Sequence, residues 1–435
     1  MKTIMIASLI VASVSLMAVG SVSANEFELN SLSVPMQQRG IESITREQKD
    51  IHFSFAESGE VWQNNQSAEV ALESNEYWFQ ISGAELKSGI DLDISEPEPL
   101  VRFSSLTLPD ARQSLGGNQT GLPSIQPGLV SKQPGLSEIP RPQGSRRANA
   151  INPDQLEIFR EGEVQPMNAA KLNMINETQL ASDSIFQRSG AMKLNASIGT
   201  GRFKMRTRQS LRDSDQYLIN IKEKGSQKKL HMSAPRLSLL SGEAITFGAQ
   251  MKDRHRVLSG ADYQAYVVSP DGETSWVKLR EGKKGQWQVD MPSRFGHTRP
   301  GELHELYIDA YAPEGNNQLR RSGKIAFSVA TPTAQLEDIK LVMEDDTLAD
   351  SMINVASEGR YELRATLYGT DENGEMRSIM RSHSAYWLTP GLQQVALKLD
   401  QKIFENSGLS APFALKSFEL IDQSQLGVLH RQSEI

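Results

Sequence analysis

The chain contains no cysteine. Disulfide frameworks, thiolate metal sites, thiol nucleophiles and a lipid-modified N-terminal cysteine are therefore excluded. Past the first two dozen residues there is no apolar window long enough to cross a bilayer as a helix. Catalytic signatures are equally scarce. There is no Gly-x-Ser-x-Gly elbow, and Ser226-Gln-Lys-Lys229 matches Ser-x-x-Lys only in a polar segment that lacks the helix and partner motifs giving that pattern meaning. Basic charge is also lacking. The formal net charge is -7 over 435 residues, and no basic stripe interleaved with aromatics appears, which argues against a nucleic-acid partner. The group Arg141, Arg146 and Arg147 lies among prolines and reads as a solvated segment.

The N-terminus is the one strongly apolar stretch. Lys2 is a short positive region, Ile4 to Val19 is mostly apolar, and Val22-Ser23-Ala24 places small residues before Asn25. This pattern predicts a secretory signal cleaved after Ala24, no membrane span, and a periplasmic or secreted product. Removing those 24 residues from 435 leaves 411. That is room for about three domains.

Hydrophobic residues at 38% and charged residues at 23% are ordinary for a globular chain. The clearest architecture is Gly359 to Leu399. Tyr361, Leu363, Ala365 and Leu367 alternate with Glu362, Arg364, Thr366 and Tyr368, the period of a strand with one buried face. Asp371 to Gly374 supplies turn residues, so a hairpin is expected. From the N-terminal side, His52 to Phe55, Val61-Trp62, Glu76 to Ile81 and Leu100 to Phe103 read as short strands, with Ser82-Gly83 and Ser88-Gly89 as turns.

Leu108 to Pro153 is rich in Gly, Pro, Ser and Gln and could build no core. It reads as a flexible insertion in an N-terminal β-rich domain, because strand-like runs resume at Leu156 to Phe159, Arg202 to Met205 and Tyr217 to Ile221. Ala169-Ala170, Leu172, Met174-Ile175 and Leu180 recur at helical spacing, predicting a short helix over 168–182. After Pro235, seven strand-like runs in about 95 residues suit an immunoglobulin-like sandwich. A second such module follows Thr331-Pro332. The expected fold is mainly β, with a signal over 1–24, an N-terminal domain over 25–230 interrupted at about 108–153, and immunoglobulin-like domains over 231–332 and 333–435.

Candidate chemistry is sparse. Glu344, Asp345 and Asp346 with Asp350, or Asp371 with Asn373 and Glu375, present hard oxygen ligands suited to calcium. The second set is also what a hairpin turn looks like, and it lacks the length of a full calcium loop. His297 and His304 are seven residues apart, without the spacing of a helical zinc signature. Tyr77, Trp78, Trp276, Trp287 and Trp387 are glycan or partner contact candidates if they lie on an exposed face, and core residues of a sandwich if they do not. The sequons at Asn65, Asn118, Asn176 and Asn195 carry little weight with a bacterial-style signal.

Several ordered segments carry a family resemblance: Tyr77-Trp78 to Leu86, Val101-Arg102, Ser269-Pro-Asp-Gly272, Thr331-Pro-Thr-Ala334, Gly359-Arg-Tyr361 with Leu367 to Thr370, and Ala385-Tyr-Trp-Leu388. Together they resemble the exported gammaproteobacterial family catalogued as domain of unknown function 4785, over most of the mature chain. The resemblance implies an N-terminal β-rich domain followed by two immunoglobulin-like modules, and it implies no catalytic residues. Two functions remain open. One is a non-catalytic binding or interaction protein recognising a protein or glycan; the other is a hydrolase, or an accessory to one, with an unrecognised site in the N-terminal domain.

Overall fold

The computed structural model describes Met36 and residues 48–56, 70–108, 146–168, 172–175, 189–282, 287–291, 295–315 and 317–435. The predicted signal, the Val61-Trp62 run and the interior of the Pro/Gly-rich insertion lie outside these residues. The described part is nearly all β, a multidomain arrangement of paired sheets. It forms two compact units: Ser67–Thr331 with Gln425–Gly427, and Pro332–Ser424 with Val428–Ile435 and strand Ile51–Ala56.

The first unit holds two cores. One is built on an antiparallel sheet ordered Glu76–Ser82, Gln216–Lys222, Leu100–Ser105, Ser189–Leu194, Leu172–Ile175. Its Tyr77, Ile81, Val101, Phe103, Ile219 and Ile221 pack with Leu92, Phe203 and Ile158 of the three-stranded sheet Ile90–Ile94, Gly201–Thr207, Leu156–Arg160. The packing is tight enough to dictate a glycine: a Cβ on Gly190 would sit 2.2 Å from the Phe103 ring. Thr107–Leu108 pairs with Arg146–Arg147, so the Pro/Gly-rich segment leaves and rejoins the domain at neighbouring points.

The second core lies between two larger sheets. In one, Ile245–Asp253 pairs with Lys228–Ala234, which in turn pairs with Val70–Ser74. In the other, Asn317–Ala330, His304–Glu314, Asp262–Val268 and Thr274–Trp276 are successive antiparallel neighbours. Phe247 and Phe327 meet across the core at 5.7 Å, surrounded by Val267, Ile308 and Met251. Each of the seven strand-like runs expected after Pro235 overlaps a strand, although Leu237, Ala244 and Val277 lie outside strands, so that Trp276 to Leu279 straddles two, and Gln286 lies outside the described residues.

Two neighbouring arginines tie the cores together. Arg321, 1% exposed, donates to Glu223 Oε2 at 2.6 Å, Ser226 Oγ at 3.1 Å, Ser95 Oγ at 3.2 Å and the Lys228 carbonyl at 2.8 Å. Glu223 is fully buried and also accepts from the Ser95 backbone amide at 2.6 Å. Every charged atom of the pair is thus met by a partner, the condition under which a buried ion pair is tolerated. On the opposite side of the strand, Arg320 lies 5.0 Å from the Tyr77 ring centre, 5.1 Å from Phe79 and 5.4 Å from Tyr311.

In the second unit the sheet order is Ile51–Ala56, Met376–Leu388, Gly359–Thr370, Ser410–Asp422, Gly427–Glu434. A three-stranded sheet of Ala334–Glu344, Thr347–Val355 and Gly391–Lys398 completes the unit. The expected hairpin is present, with Tyr361, Leu363, Ala365 and Leu367 all buried.

Three local readings need correction. The helix expected over 168–182 is contradicted at Leu172–Ile175, an edge strand paired with Ser189–Leu194, and the rest of that range beyond Asn168 lies outside the described residues. Among the described residues, the short α-helix of the N-terminal domain is Gly83–Ser88. There Ser82 is the N-cap and Glu85 returns a side-chain bond to the Ser82 amide at 2.7 Å, a capping box. Finally, the run at His52 to Phe55, read as N-terminal-domain strand, hydrogen-bonds to Met376–Leu388.

Two stability predictions follow from these contacts. Arg321→Met strands the Glu223 carboxylate and should lower the unfolding free energy by about 3–5 kcal/mol. Lys193→Gln, which breaks the half-exposed pair with Glu98, should cost less than about 1 kcal/mol. Urea melts showing equal losses would refute the staple. His430 is buried, and burial pushes its imidazole pKa down to about 4. Protonation therefore favours the unfolded chain: the stability present above pH of about 6.5 is lost as pH falls through about 4. His430→Gln should flatten this part of the pH profile relative to the parent chain.

Candidate functional site

Strand alternation places an aromatic row on the outer face of the sheet His304–Glu314. Leu306, Ile308 and Ala310 turn into the core, which sends Tyr307 and Asp309 to the other side. Tyr307 is the register partner of Tyr266, and Tyr266 is the partner of Trp276. The rings touch in sequence. Tyr266 stacks on Tyr307 at 5.1 Å and 6°, Trp276 meets Tyr266 edge-on at 5.4 Å, and Trp78 meets Tyr307 edge-on at 6.3 Å.

Exposure grades along this row. Tyr307 is 1% exposed, Tyr266 is partly buried, and Trp276 is 67% exposed. Burial pushes the Tyr266 and Tyr307 phenols up, so both stay neutral donors at physiological pH. The Tyr307 hydroxyl donates to Glu305 Oε2 at 2.6 Å, and Lys324 Nζ reaches Glu305 Oε1 at 2.5 Å while lying 5.8 Å from the Tyr307 ring centre. An exposed indole is thus backed by fixed rings, and the inner ring, Tyr307, is held by a charged, hydrogen-bonding pair.

The other aromatic candidates are used elsewhere. Tyr77 is buried, and its hydroxyl is engaged by the backbone of Asp93. Trp287 packs against the second core and tilts against Tyr263 at 5.5 Å. Trp387, in the second unit, donates to Glu358 Oε1 at 2.7 Å. The structure therefore brings Trp78 and Trp276 onto one row and leaves Tyr77, Trp287 and Trp387 apart from it. Tyr266, Tyr307, Glu305 and Lys324 were not singled out from sequence, although alternation about Leu306 and Val267 was the available signal.

The acidic candidates are held by local structure. Asp371 Oδ1 accepts from the Asn373 and Glu375 amides, each at 2.9 Å, and Oδ2 accepts from Arg377 Nε at 2.7 Å. The Arg377 contact and these backbone bonds hold its carboxyl below the usual range. Glu375 accepts from the same guanidinium at 2.8 Å, and Gly374 takes φ 80°, the left-handed conformation this turn requires. At the other cluster, both Asp346 carboxylate oxygens lie 3.1 Å from Lys398 Nζ, while Glu344 and Asp345 are exposed and Asp350 sits on strand Thr347–Val355.

His297 and His304 do share a cleft of about 690 Å³, with Asp271, Glu273, Arg299 and Glu302. His304 is buried, however, stacked on Phe327 at 5.4 Å, and its Nε2 donates to the Gly296 carbonyl at 3.0 Å. Among the described residues, no three His, Asp or Glu side chains converge as a metal site.

Two family models match the chain. The N-terminal domain of the domain of unknown function DUF4785 covers residues 42–117 and 140–223, and its C-terminal domain covers 333–435. A solved DUF4785 family protein from Legionella pneumophila subsp. pneumophila str. Philadelphia 1 aligns over 92% of this chain and 97% of its own, at 19% identity and TM-score 0.67. This is a likeness of fold. Salmonella alpha-2-macroglobulin reacted with methylamine aligns over 83% of this chain and 23% of its own, at 9% identity and TM-score 0.22. A tetra-tandem repeat from the extending region of a large adhesion protein aligns over 80% and 71%, at 12% identity and TM-score 0.18. No curated protein matches the sequence.

Because Arg377 already holds Asp371 and Glu375, and Lys398 holds Asp346, millimolar calcium should leave the melting temperature unchanged. A rise on adding calcium, reversed by chelator and absent in Asp371→Asn, would overturn this reading of the turn.

Proposed function

Since the chain belongs to the DUF4785 family, a family of unknown function, we propose its role from the site itself: an exported, non-catalytic binding protein that recognises a glycan through the face around Trp276. The observation that carries this reading is the contrast at Trp276, an indole 67% exposed yet backed by the stacked pair Tyr266 and Tyr307. Leaving such a ring in water forgoes burial worth about 1.5–3 kcal/mol. Its backing restrains it before any ligand arrives, so little side-chain entropy is lost on binding. A sugar ring offers an apolar C–H face to stack on the indole. Protein partners use the same chemistry with an aromatic or aliphatic anchor, but a single exposed ring on an otherwise covered aromatic row suits a saccharide better.

Export rests on the N-terminal pattern of Lys2, Ile4 to Val19 and Val22-Ser23-Ala24, with cleavage after Ala24. On this reading the sandwich modules are immunoglobulin-like and serve to hold the Trp276 face rigid and accessible.

The test is a glycan array followed by fluorescence titration on the purified chain. Trp276→Ala should weaken binding at least tenfold with an unchanged melting temperature, as expected for a stacking residue worth more than about 1.4 kcal/mol. Equal binding by parent and variant would remove Trp276 from the site. Glycan turnover abolished by a single carboxylate substitution would replace the proposal with the hydrolase reading.

A further inference from the structure

Strand Ile51–Ala56 is the edge of its sheet, paired on one side with Met376–Leu388 and, among the described residues, with nothing on the other. Its odd-numbered residues form an apolar row on one face: Ile51 is 50% exposed, Phe53 52% and Phe55 46%. Phe53 is firmly placed, stacked on His383 at 4.5 Å and 11°, and Ser54 is tied to the Ser382 hydroxyl at 3.0 Å. Edge strands are ordinarily protected by charge, proline or a bulge. Ile51-His-Phe-Ser-Phe-Ala56 has none of these: it holds no Lys, Arg, Asp, Glu, Pro or Gly and pairs with Met376–Leu388 without a register shift.

We propose that a second copy of this chain occupies that edge, through antiparallel pairing of strand Ile51–Ala56 with itself about a two-fold axis at Phe53. Facing residues of an antiparallel pair share a face, so a self-pairing that keeps apolar residues together must set odd positions opposite odd ones. The register centred on Phe53 does so over the whole row. Phe53 faces Phe53 of the other copy, Ile51 faces Phe55, and His52 faces Ser54. The arrangement is isologous and closed, with main-chain bonds supplying attachment and the apolar row fixing register.

The absence of cysteine makes a sharp test available. Light scattering on the purified chain over a range of concentrations should show a dimer, and Phe53→Glu should be monomeric while keeping the parent's far-UV circular dichroism. Under mild oxidation Phe53→Cys should form a disulfide-linked dimer on its own, because facing Cα atoms about 4.5–5.5 Å apart lie within disulfide range. Ile51→Cys should not link to itself, since the two copies of position 51 lie about 13 Å apart along the strands. A mixture of Ile51→Cys and Phe55→Cys should link. A monomeric parent chain at every concentration, a Phe53→Glu dimer, or self-linking of Ile51→Cys as efficient as that of Phe53→Cys would each overturn the proposal. Loss of glycan binding in Trp276→Ala leaves this test unaffected, as the two surfaces share no residue.

Discussion

The Arg321–Glu223 pair is the constraint on which the first unit is built. A guanidinium and a carboxylate at 1% and 0% exposure would each be costly alone. Their cost is offset only because Ser95 and the Ser226–Lys228 segment arrive from two distant parts of the chain. The network therefore specifies the mutual placement of Ile90–Ile94, Gln216–Lys222, Lys228–Ala234 and Asn317–Ala330. Alternation then hands the next residue, Arg320, to the opposite face, where it spreads over Tyr77, Phe79 and Tyr311. A slip of one residue in Asn317–Ala330 would exchange the two arginines and satisfy neither environment.

That placement also explains the aromatic sorting. Trp78 comes from the first core's sheet and reaches Tyr307 on the outer face of the second. The inner end of the row is thereby covered while its outer end at Trp276 stays in water. One continuous set of ring contacts connects a buried, structural end with an exposed one.

Much of the fold was legible because its strands alternate cleanly. Tyr361, Leu363, Ala365 and Leu367 predicted their own burial, and Asp371 to Gly374 predicted the turn from backbone chemistry alone. What failed has identifiable causes. The apolar residues from Ala169 to Leu180 are too few to separate period 3.6 from period 2, and tertiary pairing with Ser189–Leu194 decided for a strand at Leu172–Ile175. Ser82-Gly83 reads as a turn until Glu85 is seen three residues later, the signature of a capping box. Site residues were harder still. Tyr77 and Trp276 occupy similar strand-like runs, and only what lies across from each face, Asp93 and Arg320 in one case and solvent in the other, separates core from surface. Such information is non-local, and no window of sequence carries it.

Strand Ile51–Ala56 completes a sheet whose other members begin at Gly359, and Ser54 meets Ser382 across 328 positions of chain. During synthesis this segment emerges long before any strand able to receive it. Loop closure over such a distance is entropically expensive and slow relative to the local hairpin Gly359–Leu388. The C-terminal sheet is therefore expected to assemble first and to accept its sixth-decade strand last. Until that final step, Ile51, Phe53 and Phe55 travel as an uncommitted apolar segment, the kind of sequence that holdase chaperones retain.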